Sequence, residues 1–254
     1  MNPTISCVHF KYLPMGQRIM FSSTLVVLGI GYLFAMIYIF ASQAGRDGNP
    51  GLSVQDLIIA YSGSKSDTRI ESALKGPMQN MLPDKERAVI IAWVRSGVKK
   101  ESYESSGAQK IISQRCLTCH DGSNPHIPNL STFEGVSQVA IMDTGMDFFT
   151  LIRVSHIHMF GISFIFFIIS SIFIHSYIRP LWLKCIIIVI PFIAVVADIF
   201  SWYLTKVFTG FAWVVMISGA LMGMAFAAQW IISFYQMWFY KLPQDLIDAE
   251  GRVN

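Results

Sequence analysis

The chain has 254 residues, of which 53% are hydrophobic and 14% charged, with a formal net charge of +3 and a mean hydropathy of +0.49. That balance excludes an ordinary soluble domain, a disordered tail and a disulfide-dense secreted module, and no run of lysines or arginines offers a nucleic-acid face. The composition is that of a membrane protein.

The first long apolar run covers residues 19–41 without a charge, enough to cross a hydrocarbon layer of about 30 Å as a helix. Its length marks it as a retained span rather than the shorter apolar core of a signal peptide, although small residues around Ala41 and Ala44 resemble a cleavage site. Residues 45–150 then carry 11 Lys and Arg against 12 Asp and Glu, with turn formers at Asp47-Gly48-Asn49-Pro50 and Gly76-Pro77, and read as a small water-facing helical domain. Three further apolar runs follow at residues 151–177, 183–204 and 211–239, broken at Arg179-Pro180 and Thr205-Lys206. The expected fold is all-α: four transmembrane helices with a small helical domain inserted between the first and second. The expected segments are 1–44 (N-terminus and first helix), 45–150 (insert), 151–240 (three-helix bundle) and 241–254 (tail).

Basic residues beside the spans set the expected orientation, because Lys and Arg near membrane ends favour the cytoplasmic side. Lys11 and Arg18 precede the first span, Arg179 and Lys184 lie between the second and third, and Lys241 follows the fourth. Both termini are therefore expected in the cytoplasm and the insert on the opposite side, with Arg153 and Lys206 as minority charges on that outer face.

Cys116-Leu117-Thr118-Cys119-His120 is a CxxCH sequence. Two thiols one helical turn apart can each form a thioether with a haem vinyl, while the following imidazole binds iron, which makes one covalent haem c the expected cofactor. A zinc site needs about four ligands, and the other nearby candidate is His126. Cys7 and Cys185 read as incidental. The run from Ser105 to Arg115 has a serine cap and then apolar positions at helical spacing, so it is expected to deliver the cysteines from a helix end.

This segment resembles the opening helix of a class I cytochrome c, and Ile127-Pro128-Asn129-Leu130 resembles that family's haem-edge loop. The order of parts departs from the family, where a ligand methionine and a closing helix follow the CxxCH. Here the matching pattern, from Gly76-Pro77-Met78 through Pro83-Asp84 to Trp93, comes before it. The insert therefore resembles a circularly permuted class I cytochrome c over about residues 50 to 140. The resemblance implies Met78 as sixth iron ligand, with Met81 second and Met142 and Met146 as the conventional-order alternatives; His126 is too close in sequence to the proximal histidine. Pro83 at a first turn, Asp84 and Glu86 beside it, and the apolar Val89, Ile90, Trp93 and Val94 give the preceding helix a start signal and a core face.

Within the spans, the remaining histidines fall on the second helix: His156 and His158 near its outer end and His175 near its inner end. His156 and His158 point about 200° apart at 3.6 residues per turn, so at most one faces a given site. Asp198, level with them on the third span, is an ionisable residue at membrane depth and a candidate proton acceptor for a quinol together with either histidine. The alternative is a salt bridge from Asp198 to Lys206 or Arg153, or a hydrogen bond to a histidine. Gly219 and Gly223 form a GxxxG pattern, read as a packing seam.

These readings converge on a membrane-bound, mono-haem c-type cytochrome of a bacterial inner membrane, multi-pass, with its haem domain in the periplasm. Its expected role is single-electron transfer as a subunit of a respiratory or photosynthetic complex, in contact with lipids and other membrane subunits and exchanging electrons with quinol or a soluble cytochrome. The alternatives are a quinol-oxidising module using His156 or His158 with Asp198, and a haem-based gas sensor. A tail of 14 residues after Tyr240 offers the sensor reading no output domain.

Overall fold

A computed structural model describes residues 8–125 and 127–241 of the chain. Cys7, His126 and the expected tail after Lys241 lie outside the described residues. Among the described residues the secondary structure is helical throughout, with an isolated antiparallel bridge between Thr68 and Met142.

Four helices are long and apolar enough to cross a membrane: α1 (Met15–Gln43), and, after the insert, α8 (Phe148–Phe173), α9 (Leu181–Val207) and α10 (Ala212–Trp238). Between α1 and α8 lie α2 (Val54–Ser62), α3 (Arg69–Lys75), α4 (Asp84–Arg95), α5 (Lys100–Ser105), α6 (Ala108–Ile111) and α7 (Phe133–Val139). The chain divides into two compact units. One holds Tyr38–Phe148 together with Thr205–Thr209; the other holds the remainder of the spans.

In the membrane unit, α8 ends at Phe173, short of the end of its apolar run at residue 177. The reason is local: Pro180 has no N–H to offer the Ser176 carbonyl, and Lys184 Nζ donates to the Ile174 and Ser176 carbonyls at 2.6 and 2.8 Å instead. Gln236 closes the same end, giving Nε2 to the Tyr177 carbonyl at 2.8 Å and accepting the Tyr177 N–H at 2.6 Å. His9 Nδ1 accepts the Lys11 N–H, so its proton sits on Nε2, facing Gln236 Oε1 at 3.3 Å. Burial, the largest influence, holds the His9 imidazole below its ordinary pKa, in keeping with this neutral tautomer. His175 Nδ1 donates to the Val8 carbonyl at 2.8 Å; that histidine is spent on structure.

Proline inside α9 creates the central polar contact of this unit. Pro191 has no N–H to offer the Ile187 carbonyl four residues before it. Gln229, fully buried on α10, donates Nε2 to that carbonyl at 2.9 Å and accepts Ser170 Oγ of α8 at 2.9 Å. One amide thus ties three helices and satisfies a carbonyl that hydrocarbon cannot. Of the GxxxG pair, Gly223 lets Tyr32 approach, since a Cβ there would stand 3.0 Å from the Tyr32 hydroxyl, while Gly219 faces open space. Tyr32 stacks on Phe226 with centroids 4.2 Å apart.

The insert unit folds around Ile90, Trp93 and Val94 of α4, packed with Ile70, Leu74, Leu82, Tyr103, Ala108, Ile112, Leu130 and Val136. Trp93 and Tyr103 lie 4.8 Å apart, and Tyr103 meets Phe133 edge-on at 5.5 Å. Pro83 holds the N-cap position of α4, one residue before the first turn in which its sequence position places it. Reciprocal capping boxes start α2 (Ser53 with Asp56) and α3 (Thr68 with Glu71). Gly63 and Gly145, both at positive φ, cross so closely that a Cβ on Gly145 would lie 2.3 Å from the Tyr61 carbonyl oxygen. Lys206 Nζ fastens this crossing, donating to the carbonyls of Tyr61, Thr144 and Met146 at 2.7, 2.9 and 2.8 Å.

Candidate functional site

The CxxCH segment sits where α6 runs out. The helix starts at Ala108 after Gly107 in a left-handed conformation, and residues 112–116 continue it as one wide π turn, with the Leu117 N–H reaching back to the Ile112 carbonyl. Such turns concentrate at functional sites. The serine expected to cap the run makes a smaller contribution: Ser106 Oγ accepts the Ala108 N–H at 3.3 Å, and Gly107 holds the cap position. The Cys116 carbonyl accepts the N–H groups of Cys119 (3.1 Å) and His120 (2.9 Å), so the two thiols and the imidazole come off a single turn. Both thiols are free. Cys116 is half-buried against the apolar core and Cys119 exposed; burial, then the Glu86 carboxylate, push the Cys116 thiol pKa up.

His120 is fixed by its neighbours. Its Nδ1 lies 2.8 Å from the Pro128 carbonyl oxygen. A carbonyl can only accept, so Nδ1 carries the proton and Nε2 is left with its lone pair, the tautomer that a metal-ligating histidine needs. The His120 carbonyl in turn accepts the Leu130 N–H at 2.8 Å, and Leu130 is buried in the core. The 128–130 loop therefore orients the ring on a rigid base.

The candidate sixth ligands fall in different places. Met78 packs against the same apolar cluster as Cys116 and Leu117. Met81, one 3-10 turn later, is 69% exposed. Met142 is exposed and pairs its backbone with Thr68, and Met146 is tied through its N–H to the Ala60 carbonyl. Met78 is thus the methionine that shares packing with the CxxCH turn. Among the described residues no group of three or more His, Cys, Asp and Glu side chains is placed to hold a bare metal ion. Free thiols on one turn, an imidazole with Nε2 available and an apolar shelf are a donor set that fits a covalently attached haem.

In the membrane unit, Asp198 is 7% exposed inside the bundle. Lys206 points its ammonium at three carbonyls instead, so the salt bridge between them does not form. His158 donates Nδ1–H to the Val154 carbonyl of its own helix at 2.9 Å, and its ring meets Trp202 edge-on at 5.5 Å. Trp202 stands one helical turn beyond Asp198, on the same face. Both histidines are exposed, His156 about 200° round α8 from His158. Sequence reasoning missed Gln229 and Pro191, although an amide in one apolar run and a proline in another were visible signals.

Residues 133–244 match a family described as a transmembrane helical domain, a likeness that covers α7, the last three spans and little of the insert. No curated protein and no solved structure gives a match. Membrane insertion of the last three apolar helices therefore rests on two observations, and that of α1 on its length and composition.

Proposed function

We propose that the chain is a membrane-bound mono-haem c-type cytochrome whose insert passes single electrons outside the cytoplasmic membrane, as a subunit of a larger electron-transfer assembly. The observation that carries this reading is the CxxCH turn with His120 locked by Pro128 into the tautomer that frees Nε2. When bound, the group supplies one-electron redox chemistry. Cys116 and Cys119 would hold it by thioethers, His120 Nε2 and Met78 would be its iron ligands, and the cluster around Trp93 and Ile112 would exclude water beside them. A pyridine haemochrome assay and redox titration on the full chain test this, with one covalent haem per chain as the expected result. Absence of covalent haem from chain matured in cells competent for cytochrome c assembly overturns it. The orientation has its own test: a Ser105→Cys variant is labelled from the periplasmic side of intact cells, and labelling only after the inner membrane is opened inverts the topology.

A second reading, oxidation of quinol, is favoured by the burial of Asp198 one helical turn before Trp202, the tryptophan whose ring the exposed His158 meets edge-on. Asp198 would take a proton as an electron leaves. Asp198→Asn should then abolish reduction of the chain by a quinol analogue while leaving its reduction by dithionite intact.

A further inference from the structure

The insert unit contains a cleft of about 580 Å³ lined by Arg46, Lys65 and Lys75 with Asp47, Asp67 and a group of serines. The charges in it are unequally engaged. Lys75 is 2.6 Å from Asp67, which also faces Arg95 at 3.5 Å, and Asp47 accepts the Asn49 N–H at 2.8 Å and the Ser53 hydroxyl at 3.0 Å. Lys65 is exposed and forms no ion pair among the described residues. Arg46 gives Nη2 to the Ser42 carbonyl at 3.1 Å, while its Nε is buried with no acceptor. The two carboxylates whose charge acts on Arg46 also take backbone donors: Asp56 takes the N–H groups of Asp47 and Ser53, both at 2.9 Å, and Asp143 those of Ser64 (3.2 Å) and Gly145 (2.9 Å). Ser64 and Ser66 present hydroxyls 3.1 Å apart at the same wall.

We propose that this cleft binds a phosphodiester, and that the phosphate is the linking group of a phospholipid. Among the side chains that line the cleft, three cations against two carboxylates leave one formal positive charge, which matches a phosphodiester monoanion; the Arg46 guanidinium, the exposed Lys65 ammonium and two serine hydroxyls are the donors that phosphate oxygens take. The position selects the lipid. Arg46 lies three residues past the end of α1 and Thr209, on the cleft's edge, two past the end of α9, so both stand at the depth of headgroups. The neighbouring Val207 and Phe208 are 87% and 66% exposed, apolar surface at the height where acyl chains begin. This inference does not depend on the electron-transfer reading.

Native mass spectrometry of the full chain in detergent, titrated with phosphatidylglycerol, tests it. The wild type should retain one lipid whose affinity falls by at least about tenfold in Arg46→Gln/Lys65→Gln, while Lys99→Gln/Lys100→Gln, which removes the same charge elsewhere on the insert, leaves it unchanged. Lys65→Gln alone, at an exposed side chain, should weaken binding in the same direction and decides the matter if the double variant does not fold. Equal weakening in both pairs, or none in Lys65→Gln, overturns the site. Displacement of the lipid by millimolar inorganic phosphate, with no preference for phosphatidylglycerol, would keep the phosphate chemistry and overturn the lipid as its source.

Discussion

Replacing Gln229 with leucine removes two hydrogen bonds at a fully buried position, yet the loss is concentrated in one of them. The Ser170 hydroxyl can turn to the carbonyl four residues back, as Ser171 already does to Phe167 at 2.7 Å. The Ile187 carbonyl has no such recourse, because residue 191 is proline and hydrocarbon supplies no donor. The cost of Gln229→Leu is therefore about 1–2 kcal/mol, a fall of roughly 5- to 30-fold in the ratio of folded to unfolded chain. Pro191→Ala restores a backbone N–H to Ile187, so in the double variant the penalty should shrink by about 1 kcal/mol relative to the sum of the singles. Reversible unfolding of the full chain in mixed micelles of rising dodecyl sulfate content, followed by tryptophan fluorescence, gives all four free energies. Strict additivity of the two substitutions would falsify the exchange of a side-chain donor for a backbone one.

Met78→Ala should lower the reduction potential and open the iron to carbon monoxide, whereas Met142→Ala and Met146→Ala leave both unchanged; the reverse pattern restores the conventional order of ligands. Trp93→Ala empties the centre of the insert core and should cost about 3–5 kcal/mol, read as earlier proteolysis of the insert with the spans intact. Glu71 is pushed up by burial but pulled down further by the Thr68 N–H, Arg95 and the Thr68 hydroxyl, for a net pKa below its ordinary 4.5. Its contribution to stability is thus full above the ordinary value and lost as pH falls through the depressed one; Glu71→Gln should flatten that part of the acid profile in hydrogen exchange. Lys206→Met should speed exchange of the amides around Gly63 and Gly145, and unchanged protection there shows the three carbonyls to be held by something else.

The four spans were legible because each is a long, predominantly apolar run, and the helix ends differ from the run ends where a particular side chain intervenes. α8 stops at Phe173 although the apolar residues continue, and Lys184 takes the Ile174 and Ser176 carbonyls just past its end. The start of α4 was legible from Pro83 and the acidic residues after it, and the capping boxes at Ser53 and Thr68 were written in the sequence without being read there. The periodicity of α8 limited His156 and His158 to one facing residue but could not choose between them; that choice depends on where Trp202 of another helix falls. Lys206 looked like a charge on the wrong face of the membrane, and its partners are backbone carbonyls, which carry no signature in sequence. The same holds for His120: the motif singles out the residue, but the Pro128 carbonyl that sets its tautomer is a matter of loop geometry.

The grouping of Thr205–Thr209 with residues 38–148 has a practical consequence for anyone dissecting the protein. This unit is discontinuous in the chain, so a fragment cut to residues 38–148 would be an incomplete domain. It would lack the ammonium that gathers the Tyr61, Thr144 and Met146 carbonyls, and the Thr205 carbonyl that accepts the Ser62 hydroxyl at 2.7 Å. A faithful soluble version needs the 205–209 pentapeptide grafted after residue 148 through a linker, or a lysine engineered to reach the same three oxygens.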